Sequence, residues 1–263
     1  MEYVNKSQSR QANNIIYNYL NTIKRPGQYI PRKIYQGFRN DLGKQSLINT
    51  VLLPEQNCRC CYCMKSLYSG GTIEHIIPEK VTPARMNYYF GLRLSGLNSN
   101  NICHTSSYMA DNNIVGQYPH EVAYHNFAMA CLKCNNERRG NKEIYPMFLR
   151  STIKQEVSYN RNTGKIVWRN DPDILNPTIE RLGLNEAQLK AIRSVWIFGH
   201  DNPKQTYSTP DTVHDIDERS ELIYRAFGNA LYVDNKVSIE AYLGLLTEEG
   251  WRQVLQYDYF STI

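Results

Sequence analysis

Thr72-Ile73-Glu74-His75-Ile76-Ile77-Pro78 puts a carboxylate beside an imidazole in a β-branched run that ends on proline. Gly70-Gly71 just before it is a turn signal, so the run reads as a short strand stopped by Pro78. Alone, an acid–histidine pair says little, because most isolated histidines are structural. Here two Cys-x-x-Cys pairs bracket it. The second is unambiguous, in Asn126-Phe127-Ala128-Met129-Ala130-Cys131-Leu132-Lys133-Cys134-Asn135. The first has two registers, Cys58/Cys61 and Cys60/Cys63. The polar turn and strand that follow Cys63 favour Cys60 and Cys63. Four thiolates in two such pairs make a closed tetrahedral site of the structural zinc kind.

Working outward, residues 6–23 carry Ile15, Ile16, Tyr19, Leu20 and Ile23 near a 3.6-residue period and predict a helix. A second is expected over 41–53, ending at Pro54. Residues 81–120, rich in Asn, Ser and Tyr, read as a long irregular insertion of the kind that is functional or mobile. A helix is expected to open over 135–142. Val157 to Trp168 reads as a hairpin turning at Asn162-Thr163-Gly164. Asn185 is expected to cap a helix bearing Leu189, Ile192 and Trp196. Another helix runs from about Asp217 with Ile223, Ala226, Phe227 and Ala230 as its stripe, and the last twenty or so residues look helical. The organisation expected is a basic helical segment over 1–57, a zinc-stapled core over 58–146 and an acidic, mainly helical region over 147–263. The fold class is α+β.

The chain has 263 residues, enough for one large domain or two small ones. Its seven cysteines are odd in number and clustered, which argues against a disulfide framework. No apolar run is long enough to span a membrane, and no apolar leader opens the chain, so a cytoplasmic protein is expected. The net charge of +5 is unevenly spread. Residues 1–50 hold eight Lys/Arg against two Asp/Glu, residues 51–170 fourteen against eight, and residues 171–263 eight against fifteen. The basic part suits phosphate and the acidic part repels it, unless both are ordinary solvated surface.

The bracketed arrangement resembles the HNH endonuclease family, with its ββα-metal fold. That family shows an Asp-His-Ile-x-Pro strand, an Asn-Leu step and a Cys-x-x-Cys-Asn helix start. Here these are Glu74 to Pro78, Asn126-Phe127 and Cys131 to Asn135, about a third of the chain. Outside that core, Thr178-Ile179-Glu180-Arg181-Leu182-Gly183-Leu184-Asn185 is similar to a segment of the PtuB nuclease subunits of Septu-type antiphage systems. That second resemblance implies a cognate ATPase partner, and points toward retron association. Two departures stand out. Glu74 replaces the family's Asp, one methylene longer, and the gap from His75 to Asn126 is far longer than in compact cores.

The resemblance implies metal-dependent hydrolysis of nucleic acid, DNA in first place and RNA such as tRNA as the alternative. His75 would be the base that activates water. Glu74 and Asn135 would hold one Mg²⁺ or Mn²⁺ ion, since oxygen donors suit a hard cation. Asn126 would hold the loop that orients His75. Arg138, Arg139 and Lys142 are candidates for phosphate contacts or for a solvated helix face. His120 and His125 are candidates for a second active-site group. Cys103-His104 is either an extra metal ligand or a buried thiol beside a surface histidine, and His200 and His214 read as structural. The competing functions are an inactive zinc-binding nucleic-acid module and a scaffold subunit regulating an ATPase.

Overall fold

The computed structural model describes residues 1–24, 33–68, 70–110, 116–138, 144–161, 163–201, 216–233 and 239–257. Helix and small sheets are mixed, as an α+β reading expects. The N-terminal part is helical: α1 (Ser9–Ile23), α2 (Ile34–Phe38), α3 (Leu42–Leu47), a π-turn over Ile48–Leu52 and α4 (Leu53–Glu55). Ile16, Tyr19 and Leu20 form the buried stripe of α1. Tyr19 tilts against Phe38, which stacks in turn on Phe127 with ring centroids 6.4 Å apart. The central part holds β1 (Thr72–His75), α5 (Pro83–Gly91), β2 (Ile102–Cys103), α6 (Thr105–Ala110), β3 (Tyr118–Pro119), β4 (Phe127–Ala130) and α7 (Leu132–Arg138). Then follow α8 (Ile153–Glu156), the hairpin β5 (Val157–Tyr159) and β6 (Ile166–Trp168), α9 (Pro172–Arg181), α10 (Ala187–Asp201), α11 (Ile216–Val233), α12 (Ile239–Leu246) and α13 (Glu248–Leu255).

In its described residues, 81–110 and 116–120, the expected irregular insertion is ordered. Thr82 Oγ1 accepts the Arg85 N–H and Pro83 opens α5, so the helix has a proper start. Met86 and Tyr89 bury its inner face. Farther on, Asn98 Oδ1 accepts the N–H groups of Asn100 and Asn101, and β2 pairs in parallel with β3. Side-chain-to-backbone bonds replace periodicity here, so a period search passes over the segment.

Asn185 does not cap a helix. Its Oδ1 accepts the Ile166 N–H at 2.8 Å and its Nδ2 donates to the Ile166 carbonyl at 3.2 Å, so the amide lies along β6 like one residue of a third strand. The turn residue Asn162 and the helix residue Ala230's side chain lie outside what is described. The helix expected over 135–142 starts earlier, at Leu132, inside the second cysteine pair.

The three stretches delimited in the sequence are stitched together. The Val4 N–H donates to the Phe148 carbonyl, and the Ser66 N–H to the Gln256 carbonyl. Lys6 and Glu55 form a buried ion pair at 2.5 Å, and the Tyr124 hydroxyl donates to the other Glu55 oxygen at 2.6 Å. One continuous apolar cluster runs from α1 to α13. Among the described residues no helix is long and apolar enough to cross a membrane.

Candidate functional site

Cys60, Cys63, Cys131 and Cys134 bring their sulfur atoms within 4.8 Å of one another, all buried. The register is therefore Cys60/Cys63; Cys58 stays outside, half-buried. The chain makes the knuckle by turning back on itself. The Cys60 N–H donates to the Lys65 carbonyl, the Met64 N–H to the Cys60 carbonyl and the Leu67 N–H to the Cys58 carbonyl. Met64 takes a left-handed φ of 68° to close it. Cys63 and Cys131 sulfurs stand 3.7 Å apart. A tetrahedron with Zn–S arms of about 2.3 Å has edges of about 3.75 Å, so the spacing suits zinc. Burial alone pushes the Cys60 thiol up, but hydrogen bonds from Cys131 and Cys134 outweigh it and hold it well below its ordinary value, whereas contacts with the neighbouring sulfurs push Cys63 and Cys134 up. The four crowded sulfurs thus cannot all ionise unaided, and a divalent cation would compensate their charge. The protein carries a buried four-cysteine cluster able to hold a metal ion such as zinc.

The cluster braces a small sheet. β1 and β4 run antiparallel, pairing Thr72 with Ala130, Ile73 with Met129, Glu74 with Ala128 and His75 with Phe127. Ala130 leads directly into Cys131 and α7. The outer edge of β4 is closed by a residue the sequence reading passed over. Gln56 Oε1 accepts the Met129 N–H at 2.7 Å, while its Nε2 donates to the carbonyls of Met129 and Arg59, each at 2.9 Å. A glutamine in a helical run carries no motif, so only the fold reveals it.

Successive residues of β1 face opposite sides. Thr72 and Glu74 share the side that α7 covers. There Asn135 Nδ2 donates to Thr72 Oγ1 at 2.6 Å and to the Ile73 carbonyl at 3.1 Å. Those two bonds commit the amide nitrogen and leave Oδ1 as an acceptor. Glu74 is buried and accepts the Tyr62 hydroxyl at 3.1 Å.

His75 faces the other side, beside Phe127 and Tyr35. Its ring meets the Tyr35 ring edge-on, with centroids 4.4 Å apart, and the Phe127 ring likewise at 5.1 Å. His75 Nε2 lies 3.1 Å from the Glu121 carbonyl oxygen. A carbonyl only accepts, so Nε2 carries the proton and Nδ1 the lone pair. Nδ1 stands 3.8 Å from a Glu79 carboxylate oxygen. Burial pushes the imidazole down to about 4, against the opposing pull of the Glu121 carbonyl, so it is neutral at pH 7. The sequence reading expected a base titrating near the working pH; the apolar walls of Tyr35 and Phe127 put it lower. Glu79 and Glu121 were both missed. Glu79 is four residues past His75, but only the turn after Pro78 brings it back, and Glu121 acts through its backbone.

Asn126 is fully buried and satisfied. Its Oδ1 accepts the Ile77 N–H at 2.5 Å, and its Nδ2 donates to the carbonyls of Ile77 at 2.9 Å and His120 at 2.7 Å. The segment leaving His75 is thereby tied to the end of the insertion.

The remaining candidates divide. His120 is buried, lying 3.1 Å through Nε2 from the Glu79 carbonyl, and Thr105 donates to its Nδ1. His125 packs against Tyr124. Burial pushes both imidazoles down to about 4. Cys103 is a buried thiol, pushed up to about 11 by burial, while His104 sits 2.6 Å from Ser106 Oγ and 2.9 Å from the Val81 carbonyl. Only the four-cysteine group qualifies as a metal cluster among the described residues. The backbone of Arg138 closes α7, but its side chain, that of His200, and the whole of Arg139, Lys142 and His214 lie outside the described residues.

The eight-residue segment from Thr178 to Asn185 has a structural part for most of its members. Thr178 Oγ1 accepts the Tyr145 N–H, Ile179, Leu182 and Leu184 are buried, and Gly183 turns with φ +61°. No family model, no curated protein and no solved structure matches the chain.

Proposed function

We propose that the chain is a metal-dependent HNH endonuclease with a ββα-metal core, in which β1, β4 and α7 carry the site and a structural zinc holds it. The observation that carries the reading is the joint placement of Glu74, His75, Asn126 and Asn135 around one two-stranded sheet, with the four-cysteine cluster at the start of α7. A bare zinc-binding module has no reason to keep all four.

A phosphodiester resists water because its anion repels nucleophiles. The neutral His75 ring meets that need with the Nδ1 lone pair. Nδ1 takes a proton from water, the oxygen forms its bond to phosphorus, and the 3′ oxygen leaves with a proton from solvent. The Glu121 carbonyl fixes the tautomer and steadies the imidazolium as it forms, and the arriving phosphate opposes the burial that keeps the ring neutral. Glu79 faces the same nitrogen and is placed to accept the water's second proton as a hydrogen bond. Asn126 positions His75 by pinning Ile77. Glu74 and the Oδ1 of Asn135 supply oxygen donors that suit Mg²⁺ or Mn²⁺ on one face of β1. Such an ion, when bound, neutralises charge gathering on the phosphate and the leaving oxygen.

DNA is the first substrate in this reading and RNA the second. The resemblance of residues 178–185 supports an ATPase partner and a place in antiphage defence. Because the C-terminal part is bonded into the rest of the fold, partner binding is best tested with the full chain by co-purification with the product of the neighbouring gene.

The decisive experiment incubates the full chain, with and without that product, with plasmid, single-stranded DNA and total RNA in Mg²⁺ or EDTA. Mg²⁺-dependent cutting is expected, and His75→Ala should slow it roughly 10²–10⁴-fold with folding and zinc intact. Cutting by His75→Ala at the native rate overturns the assignment and favours the binding-module reading.

A further inference from the structure

We infer that Arg39 and Lys44 form a clamp beside His75 for the sugar–phosphate backbone of the substrate strand, an inference that rests on the nuclease reading above.

The clamp is built on α2. That helix is held to His75 at two connected points. The Tyr35 ring meets the imidazole edge-on. The Tyr35 N–H donates to a Glu121 carboxylate oxygen at 3.1 Å, and the backbone carbonyl of the same Glu121 takes His75 Nε2. Arg39 follows Tyr35 by four residues, and its N–H donates to the Tyr35 carbonyl at 2.8 Å, so the helical turn extends through it. Residues four apart lie on one face, which sets the exposed Arg39 side chain next to the ring that touches His75.

Lys44 comes from the next turn of chain. The Asp41 N–H donates to the Phe38 carbonyl and the Lys44 N–H to the Asp41 carbonyl, so α3 folds back directly from the end of α2. The two cations therefore sit on adjoining turns linked through Asp41. Burial first, and then the Arg39 charge, lowers the Lys44 ammonium below its ordinary value. The Arg39 charge also acts on the Tyr35 hydroxyl.

Among the described residues neither cation has a carboxylate within ion-pair distance, although other cations do. Lys6 pairs with Glu55, Arg150 with Glu156 and Asp171, and Arg219 with Glu248. The nearby carboxylates are engaged elsewhere. Asp41 accepts the Gly43 N–H at the start of α3, Glu121 accepts the Tyr35 N–H, and Glu79 stands at His75 Nδ1. Two like charges on adjoining turns, one of them beside the ring that meets a half-buried histidine, repel each other, and an anion bridging them relieves that cost. A phosphodiester backbone supplies such anions at regular spacing and positions the strand without reading its sequence.

The test uses the full chain with His75→Ala, so that binding is read without cleavage. Labelled duplex DNA of roughly 20 base pairs and single-stranded RNA of the same sequence are titrated in EDTA between about 50 and 200 mM salt. Adding Arg39→Gln and Lys44→Gln should weaken binding about tenfold and flatten the log K against log salt slope by about 1.8 on duplex DNA or about 1.4 on RNA. The arm that flattens identifies which polymer the clamp holds. Arg252→Gln on α13, a remote cation, should leave the slope unchanged. In the active chain the double variant should raise KM with kcat held, as loss of ground-state binding does. Lys44→Gln alone carries the test should the double variant lose its fold or zinc. An unchanged slope, where the chain with His75 intact still cuts nucleic acid, overturns the clamp and spares the nuclease. A native chain that binds neither polymer and cuts neither overturns both.

Discussion

Replacing Asn126 tests the geometry of the site without assuming its chemistry. The amide is fully buried and makes three hydrogen bonds, one accepted from the Ile77 N–H and two donated to the carbonyls of Ile77 and His120. Asn126→Ala removes all three and orphans three backbone groups in a dry interior. Each buried orphan costs about 1–3 kcal/mol, and since the three share one side chain the sum is not additive, so about 3–5 kcal/mol is expected. Against a typical total of about 5–15 kcal/mol this is a large loss. With a urea slope of about 3 kcal/mol/M, the unfolding midpoint should fall by about 1–1.7 M. Asn126→Asp keeps the shape and the Ile77 N–H bond but turns a carboxylate oxygen toward two carbonyls. That repulsion and burial raise the folded carboxyl above its unfolded value of about 3.9. A group raised on folding favours the folded state when protonated. Its benefit is full below about pH 3.9 and is lost as pH rises through the folded value. The midpoint gap between Asn126→Asp and the native chain should therefore widen from pH 4.5 to pH 7.5. An Asn126→Ala midpoint matching the native one, or a gap flat with pH, would refute the reasoning.

Two further predictions follow from the same structure. Elemental analysis should find about one zinc per chain, with Cys131→Ser losing both the ion and most of the stability and Cys58→Ser losing neither; zinc retained by Cys131→Ser sinks the site. Acid should unfold the protein through its buried histidines. His75, His120 and His125 are all pushed down to about 4, mainly by burial, so they stay neutral in the folded state while the unfolded chain takes up protons below about 6.5. Stability is then full above pH 6.5 and falls by up to about 4.1 kcal/mol per pH unit between there and pH 4. His125→Gln should take about a third off that slope in urea midpoints measured against pH, and an unaltered slope would show that His125 is charged or exposed in solution.

The parts of this molecule legible in the sequence are those where one residue type at one spacing has one use. Two Cys-x-x-Cys pairs were enough to find the four-sulfur cluster, and the turn and strand after Cys63 were enough to choose its register over Cys58/Cys61. The β5–β6 hairpin and the stripe of α1 were readable because their periods are regular. Residues 81–120 were not, because α5 starts on a Thr82–Pro83 cap and the stretch after it is held by Asn98 and the short pairing of β2 with β3. Local polar bonds of that kind leave no period to detect. At the candidate site, Glu74, His75, Asn126 and Asn135 could be named in advance. Tyr35, Glu79, Glu121 and the neighbouring Arg39 could not, since what puts them beside His75 is the docking of α2 and the turn after Pro78.

The misreading of Asn185 points to a habit of this fold. Among the described residues the three sheets have two strands each, so every one of these strands has an outer edge whose N–H and C=O groups need partners. A carboxamide carries one acceptor and one donor side by side, much as a peptide unit does. Gln56 takes the N–H and C=O of Met129 on β4, and Asn185 takes those of Ile166 on β6. Asn126 takes those of Ile77 just past β1. For Gln56 and Asn185 a side chain from another stretch of sequence stands where a third strand would run, while Asn126 reaches across from the start of the partner strand itself. A two-stranded sheet is marginal in water, so such clasps, together with the cysteine cluster, let a few residues of strand hold a fixed position. The same device explains why so small a sheet can present His75 in one orientation. The ring is oriented by Glu121, the chain after it by Asn126, and the partner strand by Gln56, all through backbone atoms that tolerate substitution at the positions they clasp.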